Sequence, residues 1–285
     1  MSQSTESFPS PIASHPSEML PPTVFWRIAE GIPRRLVAIL VSLSIAVPLL
    51  LWWVVSSWMA SRGGTAAVFL PTPAQVLTAF WGLWSNGTLP KDIIFSLFRV
   101  LSGFFLAAVI SVPLGGLMGS FASVRSLLEP IIGIIRYMPA PAFIPLLILY
   151  FGLGELPKIL LIFIGTLFFN TLMIMDAVKF VPKELIETTY TLGGKRWQVL
   201  LQVIYPYIYP NIIDACRVNM AASWNLVIVA ELVAATEGLG KRISIAQRFL
   251  RTDEIFAGLI VIGLIGLAID LLFRLWLRIA CRWAR

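Results

Sequence analysis

Histidine and cysteine are almost absent from this 285-residue sequence, and charge is scarce. The single histidine, His15, lies in a leader rich in Ser and Pro, so no nucleophile–histidine–acid set and no histidine-built metal centre can be assembled. The two cysteines, Cys216 and Cys281, stand 65 residues apart in or beside apolar stretches, which gives neither a disulfide framework nor a zinc spacing. A phosphate-binding loop is missing as well. Neither Gly193-Gly194-Lys195 nor Gly238-Leu239-Gly240-Lys241 has a glycine four residues before a Gly-Lys-Ser/Thr. The chain is therefore expected to hold no catalytic residues, no metal and no cofactor of its own, and it cannot hydrolyse ATP by itself. Charged residues make up 13% of the sequence, against about a quarter in a soluble domain. The net charge of +7 comes with no nucleic-acid motif. In a chain this apolar, basic residues mark cytoplasmic loops and contacts with anionic lipid, so no nucleic-acid partner is expected.

What is abundant is apolar sequence. Hydrophobic residues reach 58%, and the mean hydropathy is +0.85. No charge occurs from Leu36 to Ser61 or from Val100 to Val124. A hydrocarbon core of about 30 Å takes about 20 helical residues, so each stretch can cross a membrane once. The first stretch is too long for a signal-peptide core, and no small-residue cleavage site follows it. An all-α membrane protein with six spans is predicted, at 36–58, 93–118, 127–151, 157–178, 207–233 and 255–277. Residues 1–30, without an apolar period, read as a disordered cytoplasmic leader. Residues 31–69 then hold the first span and an outer loop, and 70–285 form the core with five spans. The third and fourth spans are joined by a tight Gly/Pro turn, Gly152 to Pro157.

Sidedness follows from Lys and Arg. With the N-terminus inside, twelve of the 22 fall in inner segments and seven in outer ones, while Arg99, Arg136 and Arg217 lie within spans. That bias predicts both termini in the cytoplasm. Four of the outer seven, Lys241, Arg242, Arg248 and Arg251, crowd the last outer loop, where a partner surface is the one reason at hand.

Between the fourth and fifth spans lies a polar segment, Pro182 to Pro206, reading PKELIETTYTLGGKRWQVLLQVIYP. Lys183 to Leu192 can form a short amphipathic helix along the membrane surface. Leu185, Ile186 and Leu192 supply apolar contacts, and Glu184 and Glu187 supply acceptors. Gly193-Gly194 permits a left-handed or sharply turned backbone at its end, and Pro206 would start the next span where a missing N–H costs least. The segment resembles the cytoplasmic coupling loop of ABC-type importer permeases, whose motif is EAA, three residues, Gly, nine residues, then I-x-L-P. Glu187-Thr188-Thr189 stands at EAA, Gly193 at the glycine, and Pro206 closes the motif, with Val203 and Tyr205 in place of Ile and Leu. The resemblance implies that Glu184, Glu187, Thr188, Leu192, Gly193, Gly194 and Pro206 form the contact with an ATPase. The same segment can also be read as an ordinary interfacial linker.

A second constellation is Arg136-Tyr137-Met138-Pro139-Ala140-Pro141-Ala142-Phe143-Ile144-Pro145. Three prolines within seven residues break a helix, and broken backbone at membrane depth is tolerated only against protein or a water-filled cavity. Arg136 would lie ~14 Å along the third span from residue 127. Two readings are open: a pathway group offering planar donors to an oxyanion, beside Met138, Pro139 and Pro141, or a structural ion pair with Glu129 or Asp176. Arg217 and Asn219, with Ser223, Trp224 and Asn225, can line a path or join helices by hydrogen bonds. Arg99, near the outer end of the second span, is expected to snorkel. Gly115 and Gly119 form a GxxxG close-packing signal, and Asp270 precedes Arg274 by one helical turn.

The likeness extends over residues 70–280. Ser96 to Gly119 (SLFRVLSGFFLAAVISVPLGGLMG), Arg136 to Lys158 (RYMPAPAFIPLLILYFGLGELPK) and Ala230 to Gly240 (AELVAATEGLG) are similar to permeases of the nitrate/sulfonate/taurine/bicarbonate importer group. The RYMPAP wording departs from the RP-x-P-P form of that group, which leaves nitrate, bicarbonate, sulfonates, taurine and a neutral pyrimidine precursor open as solutes. The resemblance implies a type I permease fold in a bacterial inner membrane, alternating access, and cytoplasmic ABC ATPase subunits that hold ATP and Mg. It also implies a periplasmic or lipid-anchored solute-binding protein or domain and a second permease copy. The rival reading is a secondary transporter or channel, which would need coupling acids inside the membrane or a repeat-related half.

Overall fold

The structure, a computed structural model, describes residues 33–63 and 66–284, so the leader expected at 1–30 lies outside the described residues. The residues to Val55 form one unit and those from Ser56 a second. The first is helix α1 (Arg34–Arg62) up to Val55, with Pro48 in its interior.

The second unit holds α2 (Ala66–Phe69), α3 (Pro73–Ser85), α4 (Thr88–Ser120), α5 (Ala122–Ile135) and α6 (Ile144–Phe151). It continues with α7 (Leu156–Val178), α8 (Lys183–Thr191), α9 (Arg196–Gln198), α10 (Tyr205–Ala234), α11 (Leu239–Arg248) and α12 (Thr252–Ala280). No strand occurs among the described residues. Among the described residues five helical stretches are long and apolar enough to cross a membrane, or six where α5 and α6, bent by 82°, are counted together as one broken span. The bend falls where the three prolines predicted it. Helix α3, not foreseen as an element, starts with a capping box in which Thr72 and Gln75 satisfy each other's backbone N–H, and Pro73 follows at the first helical position.

Glycine sets how α4 and α7 meet. A Cβ on Gly103 would run into Ile159 and Ile162, one on Gly115 into Thr171 and Ile174, and one on Gly119 into Met175 and Val178. The two helices thus run parallel with backbones nearly in contact, which is how small residues hold spans together in lipid. Helix α10 packs antiparallel to both. Across the α7–α10 seam the Thr166 and Ser223 hydroxyls lie 2.6 Å apart, and Asn219 donates to Asn170 at 3.1 Å. Asn170 in turn donates to Ser111 of α4 at 2.6 Å. Around these polar pairs the core is filled by Val100, Phe104, Ile162, Ile208, Ile212 and Val227. Helix α12 is joined to α10 by the Trp224 indole, which donates to the Ile262 carbonyl at 3.0 Å.

The fifth span departs from expectation at its start. Pro206 is the second residue of α10, but the helix does not begin there: α9 leads through one turn of π-helix, Val199–Ile204, into Tyr205. The wider turn lets the path continue past a proline whose ring would otherwise press on the preceding turn.

Candidate functional site

The coupling segment stands between the ends of α7 and α10. None of the nine residues of α8 is buried, and Glu184, Glu187, Thr188 and Leu192 are all exposed. The Thr188 and Thr191 hydroxyls turn back onto the helix backbone, donating to Glu184 O at 2.7 Å and Glu187 O at 2.9 Å, and the Glu184 and Glu187 side chains stand exposed. It ends in a Schellman motif: Gly193 N donates to Tyr190 O and Gly194 N to Thr189 O, each at 2.9 Å, with Gly193 at φ +81°. That left-handed position is where the sequence asks for glycine. Ile186 turns inward, packing on the cluster that contains Val199 and Leu200. Phe121, between α4 and α5, meets Trp197 edge-on at 6.3 Å and seats the far side of the loop.

Arg136 caps α5 at the 82° bend and is exposed, as are Met138, Pro139 and Pro141. The ion pairs open to it by sequence are made by others: Glu129 is bound by Arg125 at 2.8 Å and Asp176 by Lys179 at 2.6 Å. Among the described residues Arg136 donates only to the Tyr137 hydroxyl, at 3.0 Å, and lies over that ring.

Arg217 and Asn219 do not share a face. Asn219, expected beside the pathway, is buried against α7 with its amide also donating to Ala215 O at 3.0 Å, because two residues along a helix turn a side chain by about 200°. Arg217 faces α12, paired with Asp214 at 3.1 Å and Asp270 at 3.2 Å, and Asp270 is shared with Arg274 at 2.6 Å. Beside this group opens a cavity of about 300 Å³, lined also by Trp224, Asn225, Gly263 and Gly266. A larger groove of about 920 Å³ between α4, α10 and α12 is lined by apolar side chains such as Phe104, Phe105, Phe273 and Trp276. It holds no charged group.

The expectation for Arg99 is overturned. Its side chain does not snorkel; it is fully buried at the end of the bundle opposite α8. Nη1 donates to Glu231 at 2.6 Å and to the Glu237 carbonyl at 2.7 Å, while Nε and Nη2 grip Glu155 at 2.5 and 2.9 Å. Glu231, also fully buried, accepts Ser96 at 2.7 Å and the Gly240 N–H at 2.8 Å. Asp92 accepts the Gly238 N–H and Arg242, each at 2.8 Å. A guanidinium between two carboxylates needs no route to water. Glu155, in the turn before α7, is held down at about 2 by Arg99 and then Lys158, against a desolvation that alone would raise it. This network also accounts for one cation of the crowded last loop, Arg242, which is spent on Asp92, while Arg251 pairs locally with Glu254 at 2.9 Å.

With this geometry in view, the likenesses are specific. Residues 111–285 match the family of binding-protein-dependent transport system inner membrane components. The chain is 35% identical over 245 residues to the taurine transport system permease TauC of Escherichia coli, covering 84% of this chain and 88% of that one. It is 32% identical over 238 residues to a permease named for aliphatic sulfonate transport, SsuC of Bacillus subtilis, covering 84% and 85%. Among solved structures, the inward-facing MetNI methionine ABC transporter shares its fold at a TM-score of 0.61 and 20% identity, over 67% of this chain and 95% of that one.

Proposed function

The chain belongs to the binding-protein-dependent transport inner membrane component family, the permease subunits of ATP-driven ABC importers, and on that premise we propose that it moves a small oxyanion along a pathway shared with a second copy of itself. Family membership implies separate ATPase subunits and a solute-binding protein as partners, in a multi-span inner-membrane assembly. The proposed orientation puts α8 and both termini in the cytoplasm, with ATP and Mg held by the partner ATPases. Closed two-fold pairing is the commonest way for one half-pathway to be completed.

Coupling runs through α8. An exposed nine-residue helix with outward carboxylates, fixed at its end by Gly193, is a surface made to be gripped from outside the membrane. ATP binding on the partners would carry α8 with it and rock the two permease copies between access to either side.

Arg136 carries the solute class. A guanidinium within a span is costly unless it faces a cavity or a partner, and this one forms no ion pair among the described residues while standing exposed at the break. It offers planar paired donors to a sulfonate, nitrate or bicarbonate. Met138, Pro139 and Pro141 would line the path beside it, while Arg217, neutralised by Asp214 and Asp270, would serve to join α10 to α12. Taurine and aliphatic sulfonates are named for relatives of this chain and come first among the candidates.

The test is to purify the chain with its co-purifying ATPase and measure phosphate release in proteoliposomes. The binding protein is added loaded with taurine, an alkanesulfonate, nitrate, bicarbonate or a neutral pyrimidine precursor. Stimulation by one loaded anion form identifies the solute. Stimulation by the neutral form alone refutes the anion assignment and returns Arg136 to a structural role.

A further inference from the structure

Between the coupling helix and the fifth span the helical path contains one irregular turn. Over Val199–Ile204 the backbone is π-helical, and the Tyr205 N–H donates to Leu200 O, five residues back instead of four. A π turn holds one residue more than the α turn it replaces, is rare, and concentrates at functional positions.

What lies on either side gives this turn a task. Downstream, Tyr205 is pinned. Its hydroxyl donates to Pro113 O on α4 at 3.2 Å, with Val112 O at 3.4 Å, and Gly116 leaves the space, since a Cβ there would collide with the phenol. Upstream, α8 packs on the π turn itself, Ile186 lying against the cluster of Val199 and Leu200. Pro206 then weakens the competing form. In an α turn its ring would press on the Gln202 carbonyl, four residues back, whereas the N–H it lacks is missing from either form. The π and α forms of this segment are therefore closer in free energy than elsewhere in the span.

We propose that the π turn is the transmission joint of the coupling step and Tyr205 its positioning residue. Displacement of α8 is taken up by annealing 199–204 to α-helix, the extra residue passing into the Gly193-Gly194-Lys195 link. Residues upstream advance by one helical position against the Tyr205 pin, about 1.5 Å and 100°. The coupling helix then acts on α10 by changing its winding, not by pushing its end. This rests on the reading of α8 as the ATPase contact.

Deleting Gln202, which is exposed, removes the extra residue while leaving the flanks in place. Tyr205→Phe removes the pin's hydrogen bonds and keeps the ring. Both are compared with Glu187→Ala in the co-purified complex, reading basal phosphate release, release stimulated by the loaded binding protein, and thermal stability. The deletion is expected to assemble, to keep basal release within about twofold, and to lose stimulation about tenfold or more, the size of change that follows from losing an interaction needed only in the moving state. Tyr205→Phe is expected to lower stimulation severalfold at unchanged thermal stability. Full stimulation in the deletion variant overturns the proposal. If the deletion variant does not assemble, Tyr205→Phe decides, and full stimulation there overturns it. Unchanged stimulation in Glu187→Ala would instead remove the reading of α8 and the joint with it.

Discussion

Removing Arg99 leaves a buried carboxylate without its counter-charge, and the cost can be worked from the contacts. In Arg99→Leu, Glu231 keeps Ser96 and the Gly240 N–H but loses the guanidinium at 2.6 Å. Breaking a buried pair by deleting one partner costs about 3–5 kcal/mol. The second carboxylate contributes less, because the Glu155 side chain is 40% exposed and its lost contact is worth about 0–1 kcal/mol. Arg99→Leu should therefore destabilise by about 3–6 kcal/mol and Glu155→Gln by about 1 kcal/mol or less. The double variant Arg99→Leu/Glu231→Leu strands no charge, leaving Ser96 and one N–H short of an acceptor at about 1–3 kcal/mol each. It should fall short of the sum of the single variants by at least about 1 kcal/mol, as coupled neighbours do. Reversible SDS unfolding of the purified chain in mixed micelles reads these differences. A cost for Arg99→Leu under about 1 kcal/mol, a Glu155→Gln variant as damaging as Arg99→Leu, or simple additivity would refute the reasoning.

Gly193→Ala places a Cβ at φ +81°, at a cost of about 1–2 kcal/mol. It should raise hydrogen exchange over 183–192 and lower stimulated ATP hydrolysis without reducing membrane accumulation, and Glu187→Ala should lose stimulation with exchange unchanged. Arg136→Ala should cut anion uptake at least about tenfold, the loss expected for a charge-assisted contact, while accumulating normally; failure to accumulate would make the residue structural. Glu155 sits at about 2, below the ordinary carboxylate value of 4.5, so its contribution is whole above about 4.5 and is lost as pH falls through about 2. The stability difference between wild type and Glu155→Gln should stay constant from pH 7 to 5 and shrink below 4.5, and a difference that shrinks instead as pH rises would contradict the pairing.

Much of the fold was legible because each signal is local. Charge-free runs marked the spans, three prolines marked the bend after Ile135, and the spacing from Glu187 to Gly193 marked a helix that ends in a left-handed glycine. The Arg99 network was not legible because its two carboxylate partners lie 56 and 132 residues away and its third partner is the Glu237 backbone carbonyl, which no residue type reports. The side on which Asn219 falls depends on which helix lies beside α10, and no residue type reports that. The π turn is hidden for another reason: VLLQVI reads as well for α-helix, and only the path on both sides of Pro206 imposes the extra residue.

These features divide the second unit into stiff and compliant parts. Helices α4 and α7 touch through three glycines along their length, α10 is tied to them by Asn170, Asn219, Thr166 and Ser223, and the far end is clamped by Arg99. A push on α8 cannot be dissipated inside such a block, since its cross-ties are buried and costly to break. It can turn the block as a body, or it can enter where the helical path departs from α-geometry within a span. Two such places are described: the bend that carries Arg136, and the π turn beneath α8. One holds the guanidinium assigned to the solute and the other receives the coupling helix. Movement between them is therefore best sought as turning of the tied α4–α7–α10 block as a body, with the bend as the part of the pathway free to change shape.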